Sequence, residues 1–175
     1  LEHCIIVADA CSKAGDSRNA RHYRSEENKN FHKKNCPIAL TKKLYTFQAT
    51  YNVLNGDFIF ASNNYLSLFS LDKDSQESME YLRKAAVYAI LSTENLKYPQ
   101  ISKLINEEKL RKLPIYELLD KFNKETIISA DELPKFKEHV QNELGYSDEN
   151  LTTTILNQNI KAIARFFSSI SYQRI

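Results

Sequence analysis

The stretch Leu151–Ile175, LTTTILNQNIKAIARFFSSISYQRI, decides how this chain reads. Ile155, Ile160, Ile163, Phe166 and Phe167 are spaced as one face of an amphipathic helix, with Leu156 and Ala164 beside them. Asn157, Lys161 and Arg165 take the other side, and Ser168 and Ser169 end the helix. Ile170, Ser171 and Tyr172 then alternate apolar and polar, as a short strand does. Helix, short strand and the first turn of another helix is the opening of a winged helix. The chain begins at Leu1 and stops before any wing, so the expectation is a piece of a longer module.

Composition narrows the class. A length of 175 residues allows one or two domains with a sizeable core. Only three glycines and four prolines are present, too few for the tight turns of an all-β fold. With no Trp, ten Tyr and nine Phe must supply much of the packing area. A net charge of +2 gives no strong electrostatic footprint for nucleic acid or an anionic membrane. No apolar run approaches the roughly 20 residues that cross a bilayer.

The first half reads as paired helices. Gly15 follows the apolar segment from Cys4 to Ala14, and Gly56 follows the one from Leu44 to Leu54. Each Gly suits a left-handed turn past a helix end, and Asp16 and Asp57 suit the cap of the next helix. Gly15 is followed by Ala20 and Tyr23, and Gly56 by Ala61 and Tyr65. In this reading the small Ala lets two helices approach closely and the Tyr fills the gap a turn later. The glycines are about 41 residues apart, within the range of helical-repeat units. Residues 24–36 read as a polar loop.

Further on, Ser75 is a candidate cap for a helix carrying Met79, Leu82, Ala86 and Tyr88 to Leu91. Pro99 and Pro114 each suit the opening of a short helix. Ser129 to Glu132 reads as a helix start, Gly145 as the end of that helix, and Ser147 or Asp148 as the cap of the last long one. The expected fold is mainly α: TPR-like helical hairpins over 1–74, a further helical part over 75–150, and the truncated winged helix over 151–175.

Recognisable catalytic chemistry is not legible. There is no phosphate-cradling Gly-rich loop, no HExxH and no nucleophile elbow. Glu107/Glu108 and Asp131/Glu132 sit at expected helix ends, where carboxylates complement the helix dipole. Cys4, Cys11 and Cys36 form no zinc pattern with His3 or His32 and read as small packed side chains in a reducing compartment. The expectation is a binding or scaffold protein with no catalytic residue, metal or cofactor.

Thr154 to Phe167 resembles the first winged-helix helix of the PCI-domain family, and Ser169 to Ile175 resembles the strand and turn that follow it. Arg83 to Ser92, Lys103 to Leu113, and Glu117 to Phe136 resemble the helical part of that domain, and Lys43 to Tyr65 the helical pair before it. Gln158 stands where the family usually has His. The family is shared by the proteasome lid, the COP-9 signalosome and translation initiation factor three. The resemblance implies a cytoplasmic and nuclear scaffold that works by protein–protein contact. Its implied partners are other PCI subunits, metalloprotease-fold subunits and a cullin-RING ligase, in the setting of cullin deneddylation. The edge strand Ile170, Ser171 and Tyr172, backed by Phe167, is the expected subunit contact. The rival of another class is a winged-helix adaptor for RNA or DNA; the thin basic character argues against nucleic acid, and no membrane is implied.

Overall fold

The computed structural model describes residues 2–14, 16, 18, 19, 22, 37–93 and 97–165. Among these the fold is all α: eight α-helices, two short 3-10 helices and no strand. The helices are α1 (Glu2–Lys13), α2 (Ile38–Leu54), α3 (Phe58–Leu71), α4 (Ser78–Leu91), α5 (Lys97–Ile105), α6 (Tyr116–Asn123), α7 (Leu133–Val140) and α8 (Asp148–Ala164). The 3-10 helices, Glu108–Lys112 and Ala130–Glu132, precede α6 and α7.

The α2–α3 hairpin follows from local chemistry. Pro37 fixes the entry to α2, and the Thr41 hydroxyl donates back to its carbonyl at 3.2 Å. At the far end Gly56 adopts φ +78°, which lets the Asp57 amide reach the Asn52 carbonyl at 2.8 Å. Asp57 occupies the cap position of α3, but its side chain makes no capping bond. Phe58, Ala61, Ser62, Tyr65, Leu68 and Phe69 then recur on one buried face.

That face lies against α4, the most enclosed element. Every residue from Ala85 to Leu91 is buried, so this part of α4 has no solvent face. A helix apolar all round belongs in an interior, and α4 packs against α3, α5, α6, α8 and the first 3-10 helix. Three alanines, Ala85, Ala86 and Ala89, let these neighbours come close. A buried polar chain ties three helices: the Ser62 hydroxyl donates to the Ala85 carbonyl at 2.7 Å, and the Gln100 amide donates to Ser62 Oγ at 3.1 Å. Leaving either carbonyl or hydroxyl unmet in this core would cost stability, so the chain fixes the approach of α3, α4 and α5. A smaller cluster, Ile5, Leu44, Phe47 and Tyr51, holds α1 to the outer side of α2, with half-buried Cys11 packed against it.

Several boundaries differ from the sequence reading. The Ser75 hydroxyl donates to the Asp72 carbonyl instead of capping a helix, and α4 begins at Ser78. Helix α5 begins at Lys97, so Pro99 is its third residue; Pro114 lies just ahead of α6. Ser129 and Glu132 do form a reciprocal capping box at the second 3-10 helix. Helix α7 stops at Val140, not beside Gly145. The chain between leaves the helical path so that Glu143 can meet Arg83 and the Leu144 carbonyl can accept from Tyr88. Gly145 then sits at φ +78° directly over Phe58.

Candidate functional site

Of the residues singled out from sequence, Gly15, Ala20, Tyr23, Phe167, Ile170, Ser171 and Tyr172 lie outside the described residues. Gly56 makes the α2–α3 turn. Ala61 is fully buried in α3, and the Tyr65 ring stacks on Tyr88 of α4 with centroids 5.6 Å apart. These three organise the hairpin and its seat on α4.

Helix α8, which leads into the expected strand, carries two buried polar side chains, Thr154 and Gln158. Ser147 caps it by accepting the Asn150 amide at 3.1 Å. Asp148 at its first turn pairs with Lys137 at 2.7 Å and accepts from the Tyr146 hydroxyl. Its inward side chains are Leu151, Thr154, Ile155, Gln158 and Ala162. This corrects the face drawn from sequence: Leu156 and Ile160 point outward, each 56% exposed. The geometry explains it, because Ile155 and Ile160 stand roughly 140° apart on a helix of 3.6 residues per turn.

Two contacts fix the rotation of α8. The Tyr98 hydroxyl of α5 donates to Gln158 Oε1 at 3.2 Å. On the adjacent row Asn159 makes a reciprocal pair with Ile128: Oδ1 accepts its amide and Nδ2 donates to its carbonyl, both at 2.8 Å. The same segment carries Glu125, held at φ +52°, whose carboxylate binds Lys161 and Arg165 at 2.7 Å each. The Lys161 hydrogen bond keeps the Glu125 carboxyl below its ordinary range.

Around Tyr98 the seam is cationic and incompletely bonded. Lys161 Nζ lies 3.2 Å from the Tyr98 ring centroid. Lys97 Nζ stands 5.6 Å from the same centroid and 5.1 Å from that of Phe122. Lys97 is only 3% exposed and pairs with no carboxylate among the described residues. Burial pushes its ammonium down to about 8, and the Lys161 charge adds to the shift. Gln158 Nε2 and Thr154 Oγ1 are buried with no partner among the described residues. Sequence reasoning marked Gln158 as a departure from a family pattern and passed over Lys97. The signal was present, since Lys97, Ile101 and Leu104 fall on one helical face.

A second polar cluster is structural. Arg83 binds both Glu80 oxygens at 2.9 Å, donates to the His139 carbonyl at 3.3 Å and pairs with the nearly buried Glu143. Its guanidinium thus fastens α4 to the α7–α8 connection. The cleft beside it, about 230 Å³, has Arg83, Glu138, His139 and Glu143 among its lining residues. No group of three His, Cys, Asp or Glu side chains is placed to hold a metal among the described residues, and none of their helices is long and apolar enough to cross a membrane. Compared with known proteins, the chain matches no family model and no curated protein.

Proposed function

We propose that this chain is a non-catalytic scaffold subunit of the COP-9 signalosome, resembling subunit four. It would support removal of the ubiquitin-like modifier from cullin-RING ligases through contacts with other subunits. The reading rests on one observation above the rest: the run Thr154 to Tyr172, whose first part lies in the capped helix α8 after a series of helical hairpins. In this reading the hairpins of 1–74 are TPR-like repeats, 75–150 is the helical part of a PCI domain and 151–175 opens its winged helix. The stacking of α2, α3 and α4 suits successive hairpins; α4, enclosed on several sides, departs from a strictly linear array, in which each pair touches mainly its neighbours.

Scaffolding through a strand has a clear physical basis. In this reading Ile170, Ser171 and Tyr172 form an edge strand, whose N–H and C=O groups a neighbouring winged-helix strand would meet by lying alongside. The test is tagging the chain in its native cell and identifying what copurifies. Signalosome PCI subunits and the metalloprotease subunit are expected. Ser171→Pro, which removes a backbone donor, should lose them while far-ultraviolet circular dichroism stays helical. Capture of the proteasome lid instead would move the chain to that complex, as the counterpart of its non-ATPase regulatory subunit five. Salt-dependent retention of RNA without either complex would replace scaffolding by nucleic-acid binding.

A further inference from the structure

We infer that α8 is a detachable helix: it opens from the body of the protein as a local event, without unfolding of the α3–α4 core. Its docking face is the reason. Of its five inward side chains, two are polar, and each leaves an atom without a partner in the docked state. Three buried side-chain atoms lack partners among the described residues; Thr154 Oγ1 and Gln158 Nε2 are two of them, and Asn52 Oδ1 on α2 is the third. The unmet polar groups are therefore concentrated on this seam.

Lys97 adds to the same imbalance. In the docked state its ammonium is buried, its partners among the described residues are two ring faces, and Lys161 of α8 is a nearby like charge. Opening returns Thr154 and Gln158 to water and removes the Lys161 charge from beside Lys97, so hydration offsets part of the packing lost. That packing is limited: Leu151, Ile155 and Ala162 are buried, Ile163 is half-buried, and Leu156 and Ile160 are more exposed than covered. The contacts opposing release lie largely at the rim. At the rim they are the Asn159–Ile128 pair and the Glu125 ion pairs, which join α8 to residues 125–128; further in, the Tyr98 hydroxyl bonds Gln158 and Lys161 lies over the Tyr98 ring. Exposed ion pairs of this kind hold weakly. By contrast α4 has no unmet side-chain atom and no exposed apolar side chain among the described residues. A cooperative unit bounded by such a seam is the kind that opens below the global transition.

Native-state hydrogen exchange of the full chain, read by mass spectrometry on α8 and α4 peptides, tests this. Protection of α8 is expected to fall at least about tenfold below that of α4, the equilibrium equivalent of one unmet buried polar group. The combined variant Lys97→Met, Thr154→Val, Gln158→Leu should narrow that gap by about tenfold or more. Asn159→Ala should widen it while leaving α4 protection unchanged. Equal protection of α8 and α4 in the parent chain overturns the inference. So does an unchanged gap in the combined variant, or in Asn159→Ala should the combined variant fail to fold.

Discussion

Gly145 and Gly56 share the same backbone torsion, φ +78°, in different surroundings, and that difference can be measured. A Cβ added at Gly56 meets nothing within 4 Å. Gly56→Ala therefore carries only the left-handed strain of about 1–2 kcal/mol, reduced by the roughly 0.4–1 kcal/mol gained from a stiffer unfolded chain. A Cβ at Gly145 would stand 2.9 Å from Phe58 Cε1, 3.2 Å from Phe58 Cζ and 3.4 Å from Val53 Cγ1. The Phe58 ring has little room to yield, because it stacks on Tyr88 at 6.0 Å and is nearly buried. Overpacking of this kind adds about 1–3 kcal/mol, so Gly145→Ala should cost about 1–5 kcal/mol in all. Urea denaturation followed by circular dichroism gives both values. In a Phe58→Leu background the cost of Gly145→Ala should fall toward that of Gly56→Ala, giving a coupling energy of about 1–2 kcal/mol. Equal losses at the two glycines, or no coupling to Phe58, would refute the close approach of the α7–α8 connection to α3.

Three further outcomes are expected. Ala61→Leu should destabilise by about 1–3 kcal/mol, since Ala61 is fully buried against α4; an unchanged melting curve would place it away from a crossing. Ser147→Ala should cost about 1 kcal/mol through loss of the bond to the Asn150 amide, whereas Ser147→Asp should retain stability, as followed by thermal melting. Lys97→Met should stabilise by about 1–3 kcal/mol near pH 7. The folded-state value of Lys97, about 8, lies below its unfolded value of roughly 10.4, so between those two the unfolded chain binds the extra proton and parent stability rises with pH. The advantage of Lys97→Met should therefore be constant below about pH 8 and vanish near pH 10.4; a pH-independent advantage would refute a buried charge as its cause.

What could be read from the sequence was the chemistry that acts over a few residues. The turn at Gly56, the capping box at Ser129 and Glu132, and the cap at Ser147 need only neighbouring atoms, and their side chains announce them. The all-α class followed from helical spacing and scarce glycine. The missed features depend on partners remote in sequence. Helix α7 stops early because Arg83 and Tyr88 engage Glu143 and Leu144, more than fifty residues away. The face of α8 was misjudged because grouping its isoleucines ignored their angular separation, and because Tyr98 and Ile128 set the rotation through Gln158 and Asn159. Lys97 escaped notice because a lysine is ordinarily expected at the surface. Only the rings of Tyr98 and Phe122 make its buried position intelligible.

The enclosure of α4 also has a consequence for synthesis. As the chain leaves the ribosome, α2 and α3 emerge before α4, and the α4-facing sides of Ala61, Leu68 and Phe69 have no cover. Their cover, α4, ends at Leu91, twenty residues after α3 ends at Leu71. At about 5–20 residues per second that interval is roughly one to four seconds. The short connection between Asp72 and Glu77 keeps it brief. A long insertion there would leave α4's folded position intact yet prolong the time in which a nascent, sticky hairpin waits uncovered beside its neighbours on the polysome.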